Sequence, residues 1–289
     1  MKLFVRDLTV IDASYLDATR GFVGESYQVD VILTGQLDEQ SMILDFSLVK
    51  KQIKKIIDTE VDHKLVVPSA AKNCTVSVTE QRTQVDYTLT DNNVIQLKCP
   101  NEAFCLLESE TITIALLESY LEQVILVQLP ENVLALEIKL RNENITTPYY
   151  QYTHGLKKHN GNCQRIAHGH RSKIDIFIED QYSEQWVAEW VKRWQYIYLA
   201  SAEDLITEAD LSFAVTQNRG EKICTAYHAP QGYFELSMPA ARAEVLANDT
   251  TVEALSAFIC GQIKAQVGAK KVTVYAYEGV GKGAISELL

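Results

Sequence analysis

The segment 27–34 has the sequence YQVDVILT, in which polar and apolar residues alternate. Alternation with a period of two is typical of a β-strand with one buried face. The stretch 46–58, FSLVKKQIKKIID, changes to a helical period, with its apolar residues on one face and its four lysines on the other. The two segments predict a strand followed by an amphipathic helix, and this order is the first indication of the fold class.

The same order of elements recurs along the chain. Each half predicts β-β-α-(β hairpin)-α-β-β, which we interpret as an internal repeat at the scale of a domain. The joint lies near residues 144–148, where Thr-Thr-Pro interrupts two strands. We therefore expect two α+β domains, 1–146 and 147–289, each with an antiparallel sheet backed by helices. The second half is predicted to have strands at 149–154, 173–179 and 271–277, helices at 183–200 and 251–267, and a hairpin at 222–237.

The composition indicates a globular protein with a large core, because 47% of the 289 residues are hydrophobic and 22% are charged. The net charge of −11 argues against nucleic acid and anionic membranes as partners, but not against an anionic small molecule in a local basic pocket. No apolar run of about 18 residues predicts a membrane span. The six scattered cysteines and the absence of a secretory h-region lead us to expect a cytoplasmic protein.

Four of the six histidines lie between positions 154 and 170. His168 and His170 are two residues apart on a predicted strand, so their side chains share a face. His154, on a neighbouring strand, can supply a third imidazole, whereas we expect His159 in a loop. Three nitrogen ligands with an open fourth position are typical of a catalytic zinc site. The alternative interpretation is a chance or surface pair.

Cys163 precedes His168 by five positions. A free cysteine is most often a buried structural thiol. A thiol beside a zinc ion, in a loop with Lys157, Lys158 and Arg165, would instead have a lowered pKa and could act as a base or as a ligand. The sequence leaves both interpretations open.

These residues resemble a known family. A strand histidine followed by a cysteine and His-Gly-His is similar to the metal motif of 6-pyruvoyltetrahydropterin synthase and 6-carboxytetrahydropterin synthase, although four residues separate the cysteine from the His-Gly-His here and three in the family. The likeness extends to a strand, a "DF" helix and an Asp-His pair within 23–67. It also covers a Thr-Thr-X-Glu helix start at 249–255 and a terminal strand that ends at Glu278.

The resemblance implies two tandem copies of the family's T-fold, each with a four-stranded antiparallel sheet backed by two helices. It also implies sheets that join edge to edge in a barrel-type homo-oligomer. We expect the metal positions of the N-terminal domain to be Ser14, Val23 and Glu25, and hence to bind no metal. We find no Asp-His pair in the C-terminal domain, where the segment after the first helix, 199–211, is LASAEDLITEADL.

The resemblance also implies the roles of individual residues. Asp62-His63 would be a general acid/base dyad, although such a pair can also cap a helix. Thr250 and Thr251 would recognise a pterin but could equally be helix caps. We expect each site to combine an N-terminal half with a C-terminal half, and the sequence leaves open whether the two halves belong to one chain or to neighbouring chains. The full set is His154, His168 and His170 for Zn2+, Cys163, Asp62 and His63 for proton transfer, and Glu278, Thr250 and Thr251 for the pterin.

The implied activity is that of a zinc-dependent lyase. Its substrate would be 7,8-dihydroneopterin triphosphate and its product 6-carboxy-5,6,7,8-tetrahydropterin, the precursor of 7-deazaguanine bases such as queuosine. Three alternatives remain: the 6-pyruvoyl product, a pterin-binding protein without turnover, and hydrolytic zinc chemistry of the cyclohydrolase type.

Overall fold

The computed structural model describes residues 1–37, 39, 41–158, 165–216 and 220–289, with the side chains of residues 48 and 49 also left out. No helix in this part of the chain is long and apolar enough to cross a membrane. The elements of the first half are β1 (Lys2–Asp17), β2 (Gly21–Gly35), α1 (Phe46–Glu60), β3 (Leu65–Pro68), β4 (Cys74–Val78), β5 (Arg82–Thr88), β6 (Val94–Pro100), β7 (Phe104–Leu107), α2 (Ile114–Leu126) and β8 (Val133–Asn142).

The second half has the same order of elements, with short additions. Its elements are β9 (Tyr149–His154), β10 (His168–Ile178), β11 (Gln181–Tyr182), α3 (Glu184–Trp194), β12 (Ile197–Ser201), β13 (Leu205–Ile206), β14 (Lys222–Ala229), β15 (Gly232–Pro239), β16 (Ala243–Leu246), α4 (Val252–Val267), β17 (Val272–Tyr277) and β18 (Gly283–Leu288).

Each half builds its own sheet on the two helices that it contains. The strand order is β7-β3-β1-β2-β8 in the first half and β16-β12-β9-β10-β17-β18 in the second, where β11 also pairs with β10. The α+β class is therefore confirmed. Both sheets are mixed, however, because β3 and β7, like β12 and β16, add in parallel register to the antiparallel strands.

A third sheet joins the two halves. It has the order β13-β14-β15-β6-β5-β4, so the hairpin of one half continues the sheet of the other. The connecting pair is β15–β6, in which Leu236 lies opposite Leu97. Both leucines are fully buried, which indicates that the halves share a continuous core at this junction.

One predicted helix is shorter than expected. The segment 183–200 was predicted as one helix, whereas α3 ends at Trp194 and β12 begins at Ile197. The backbone leaves the helical region at Gln195, which has a ψ of 116°, and Tyr196 follows with a φ of 60° in the left-handed region. Strand pairing of β12 with β9 and β16 then outweighs the local helical pattern.

The strand pairs β1–β2 and β9–β10 cross at very short range. A β-carbon at Gly24 would overlap the carbonyl oxygen of Tyr152, and one at Gly169 would lie 2.6 Å from the α-carbon of Gly24. The hydroxyls of Ser14 and Thr153 share a hydrogen bond of 2.7 Å at the same crossing. Only glycine permits this approach, and it brings β1 against the faces of β9 and β10.

We expect Gly24→Ala to destabilise the protein, because its methyl group would force these backbones apart. Overpacking of a buried site typically costs about 1–3 kcal/mol. Gly261→Ala is the matched control: its β-carbon would meet nothing within 4 Å, and in the interior of α4 alanine should stabilise the helix by about 0.5–1 kcal/mol. Urea unfolding of both variants measures the effect, and equal stabilities would show that the crossing tolerates a side chain.

Candidate metal centre and its surroundings

Three buried histidines meet at the paired strands β9 and β10. In the antiparallel register His168 lies opposite His154, and His170 follows two positions later on the same face. Their exposed fractions are 1%, 0% and 1%. One potential ligand atom from each residue lies within 4.8 Å of the others, so the group that the sequence predicts is brought together and can hold a metal ion.

The hydrogen-bond partners of two rings determine which nitrogen faces the centre. Nδ1 of His154 lies 2.9 Å from the carbonyl oxygen of Thr250, which can only accept, so this Nδ1 carries the proton. Nδ1 of His170 lies 3.2 Å from Oδ1 of Asp12, a close polar contact whose geometry is not that of a hydrogen bond among the described residues. Because a carboxylate can only accept, this contact favours the proton on Nδ1. With the proton on Nδ1 of each ring, both Nε2 atoms would carry lone pairs, and these two atoms lie 3.2 Å apart.

This geometry fits a bound cation. Two lone pairs that face one another repel unless a positive charge lies between them. Nitrogen ligands at about 2.0–2.1 Å in a tetrahedral site are about 3.3 Å apart, close to the distance observed. Burial lowers the pKa of both His154 and His168 well below the ordinary value, so these rings are neutral and can coordinate. Nδ1 of His168 is buried and has no hydrogen-bond partner within the described ranges.

The Asp62-His63 pair of the first half lies beside the triad of the same chain. The ring centroids of His63 and His168 are 5.0 Å apart, in an edge-to-face arrangement. Oδ2 of Asp62 lies 3.1 Å from Nδ1 of His63. The N- and C-terminal halves of one chain therefore combine here, which is the within-chain arrangement of the two that the sequence leaves open.

Burial affects both members of the pair. It raises the pKa of Asp62 to about 7 and lowers that of His63 to about 3, because each charged form loses its hydration. Both shifts disfavour a separated ion pair and favour a neutral imidazole. The imidazole of His63 is therefore unprotonated at neutral pH, although its lowered pKa makes it a weaker base than a free histidine.

The predicted pterin residues occupy three different environments. Oε1 of Glu278 lies 3.9 Å from Nε2 of His170, so this carboxylate borders the triad. Thr250 is buried, and its hydroxyl lies 3.1 Å from Nδ1 of His154, which makes it a support of that ring. Thr251 is the N-cap of α4, and its hydroxyl accepts from the backbone of Ala254. The structure thus brings Glu278 and Thr250 to the centre and assigns a capping contact to Thr251.

The basic residues near the predicted cysteine are held by other groups. Lys157 pairs with Asp204, and Lys158 lies 2.8 Å from Glu203. Arg165 is buried and donates to the backbone carbonyl of Asp62 at 2.8 Å, which holds the loop that carries the Asp-His pair. Cys163 and His159 lie outside the described residues.

The strand register identifies the equivalent positions in the first half. Tyr15 lies opposite Val23, as His154 lies opposite His168, and Ser14 lies opposite Gly24. The counterpart of His154 is therefore Tyr15, and the expectation of Ser14 was wrong by one residue. A shift of one residue moves a strand side chain to the other face of the sheet, so the strand register is needed to identify the counterpart of His154.

The counterpart of the Asp-His pair is Gln195-Tyr196. The backbone N–H of Tyr196 donates to the carbonyl of Gln151 at 2.7 Å, as that of His63 donates to the carbonyl of Asp12 at 2.8 Å. Both residues have positive φ angles, 60° and 57°. The segment 199–211, in which we looked for the pair, lies further along the chain.

Asp12 was missed by sequence reasoning, although it is the carboxylate in contact with His170. Burial alone would raise its pKa, but His170, Lys282 and Ser26 hold the pKa of this carboxyl below its ordinary value. The sequence signal for this residue is that Asp12 is a single acidic residue within a predicted strand of mostly apolar residues, VIDAS at 10–14. Such a residue is a reason to look for a buried partner.

Comparison with known proteins gives one family over most of the chain. The model of the family described as 6-pyruvoyl tetrahydropterin synthase matches residues 18–100 and 145–286. A curated relative from Pyrococcus abyssi (strain GE5 / Orsay), named "Putative 6-carboxy-5,6,7,8-tetrahydropterin synthase", is 26% identical over 147 residues, which cover 51% of this chain and 83% of the relative.

Two solved structures of 6-pyruvoyltetrahydropterin synthase are also similar to part of the chain. A catalytic-residue mutant of the Plasmodium vivax protein is 16% identical and covers 49% of this chain and 90% of its own, with a TM-score of 0.40. The Plasmodium falciparum protein is 15% identical, and the match covers 48% of this chain and 90% of the falciparum chain, with a TM-score of 0.39. At these TM-scores the likeness carries no argument about the function.

We expect Glu25, the counterpart of His170, to make stability depend on pH. Its carboxylate accepts from Gln151 at 2.6 Å and Asn142 at 2.9 Å, but burial raises its pKa from 4.5 to about 7. Between pH 4.5 and about 7 the Glu25 carboxyl is therefore protonated in the folded state and ionised in the unfolded state. The free energy of unfolding falls as the pH rises through this window, by on the order of 3 kcal/mol.

The variant Glu25→Gln removes this titration. Urea unfolding at pH 5 and pH 8 should show a smaller loss of stability for the variant than for the unmodified protein. Equal losses in the two proteins would contradict the assignment to Glu25.

Proposed function

The chain belongs to the 6-pyruvoyl tetrahydropterin synthase family, and on this premise we propose that it is a zinc-dependent lyase that converts 7,8-dihydroneopterin triphosphate to 6-carboxy-5,6,7,8-tetrahydropterin. The observation that carries the proposal is the meeting of the His154, His168 and His170 triad with the Asp62-His63 pair. The name of the archaeal relative supports the 6-carboxy product over the 6-pyruvoyl product.

The triad supports a metal with an open coordination position. Three histidines are the donor set of catalytic zinc sites, and the contacts of Thr250 and Asp12 with two of the rings are the outer contacts that such sites use. Zinc bound there would act as a Lewis acid on the side-chain oxygens of the substrate. The chain itself supplies orientation and proton transfer.

We assign proton transfer to His63 and Cys163. The neutral imidazole of His63, oriented by Asp62 at 3.1 Å, can accept a proton from a side-chain carbon of the substrate and return it. Cys163, five positions before His168, is proposed as the second proton-transfer group. Two such groups are needed because the reaction both removes and adds protons at carbon.

Glu278 is proposed to anchor the pterin ring. A carboxylate can accept two parallel hydrogen bonds from the N–H groups of the amino-pyrimidinone ring. Glu278 lies on the short turn after β17, 3.9 Å from the triad, so a ring held there would place its side chain at the metal. Lys282 lies 3.9 Å from the other oxygen of this carboxylate.

The decisive experiment is turnover. Purified protein loaded with zinc is incubated with 7,8-dihydroneopterin triphosphate, and the pterin is identified by mass spectrometry. We expect one zinc per chain and 6-carboxytetrahydropterin, with release of triphosphate and acetaldehyde. His168→Ala, which removes one ligand, should show neither metal nor product. A 6-pyruvoyl product would correct the specificity, and bound but unconverted substrate would favour a pterin-binding protein without turnover.

A second test concerns the anchor. Glu278→Gln should weaken binding of the pterin by about 10- to 100-fold, because the amide presents a donor to the donors of the ring. Zinc content should not change. The control is Glu287→Gln. Glu287 lies on the outer strand β18, and its exposed carboxylate contacts Lys271. Equal pterin affinity in the two variants, measured by fluorescence titration, would exclude Glu278 as the anchor.

A further inference from the structure

A buried carboxylate on β1 contacts the triad from the other half of the chain. Asp12 is 3% exposed, and its Oδ1 lies 3.2 Å from Nδ1 of His170. The same oxygen accepts a hydrogen bond of 2.5 Å from the hydroxyl of Ser26. Lys282 lies 3.2 Å from Oδ2. The carboxylate is thus held by several groups, and the ring of His170 is one of them.

The backbone of the same residue holds the Asp-His pair. The N–H of Asp12 donates to Oδ1 of Asp62 at 2.8 Å. Its carbonyl accepts from the N–H of His63, also at 2.8 Å. One residue therefore connects a predicted metal ligand, through its side chain, with both members of the pair, through its peptide groups.

The equivalent contact, around the position that corresponds to His170 in the first half, has its donor and acceptor exchanged. Gln151 is the counterpart of Asp12, and Glu25 is the counterpart of His170. There Gln151 donates and Glu25 accepts, at 2.6 Å. At the triad the acceptor is the carboxylate of Asp12 on β1 of the first half, and the group that faces it is Nδ1 of His170 in the second half. An acceptor at position 12 is what a ring needs in order to direct its Nδ1–H away from the metal.

We infer that Asp12 is a positioning residue of the metal centre: its carboxylate fixes the orientation of His170, and its peptide groups fix Asp62-His63 beside it. The inference rests on the metal binding of the proposed function but not on the reaction or the pterin. It assigns a specific task to the first half, which has no counterpart of the His154, His168 and His170 triad.

The test is the affinity for Zn2+, measured by competition with a chromophoric chelator. Asp12→Asn should bind Zn2+ about 10- to 100-fold more weakly, the usual effect of losing such an outer contact. With Co2+ in place of Zn2+, its visible absorption should change, because the ring of His170 is no longer held. Asp12→Gln is the second variant. It places at position 12 the residue that the same fold carries at position 151, so it should fold if Asp12→Asn does not.

The matched control is Asp30→Asn on β2. This side chain is also buried, bonds Arg6 and Arg141, and lies away from the triad. It should lose thermal stability without loss of Zn2+ affinity. If an Asp12 variant that folds binds Zn2+ as tightly as the unmodified protein, the inference is overturned while the proposed function stands. If the unmodified protein binds no Zn2+, the proposed function itself fails.

Discussion

The close crossing of two strand pairs is the constraint on which the rest of the structure depends. Gly24 and Gly169 allow the backbones of β1–β2 and β9–β10 to touch, and any side chain at either position would separate them. At this short range Asp12 reaches His170, and the turn that follows α1 reaches His168. A wider gap would leave three histidines in one half and an unrelated Asp-His pair in the other.

Burial gives the centre its chemistry. Burial lowers the pKa of His154 and His168, so these two imidazoles are neutral and their lone pairs are available to a metal ion. The ring of His154 donates to the carbonyl oxygen of Thr250, and the carboxylate of Asp12 lies 3.2 Å from Nδ1 of His170, so two of these rings are oriented in advance. A metal ion bound there would meet ligands that are already oriented towards it.

The two halves show how a repeated fold can specialise. At equivalent strand positions one half has histidines and the other has Tyr15, Val23 and Glu25. In the second group the polar atoms are satisfied within the protein: Glu25 accepts from two amides, and Arg20 donates to the hydroxyl of Tyr15. The first half, which has no counterpart of the triad, still packs against the second half at the crossing. There its residues Asp12 and His63 contact His170 and His168.

The sequence by itself determined the α+β class, the repeat of elements and the three histidines, because periodicity and spacing are local properties of the chain. It did not determine that α3 ends at Trp194, since the strand that follows is stabilised by its neighbours in the sheet. The counterpart of His154 and the contact between Asp12 and His170 also depended on the tertiary structure. Strand register and sheet crossing join residues that are far apart in the chain, and no local pattern records which of them will meet.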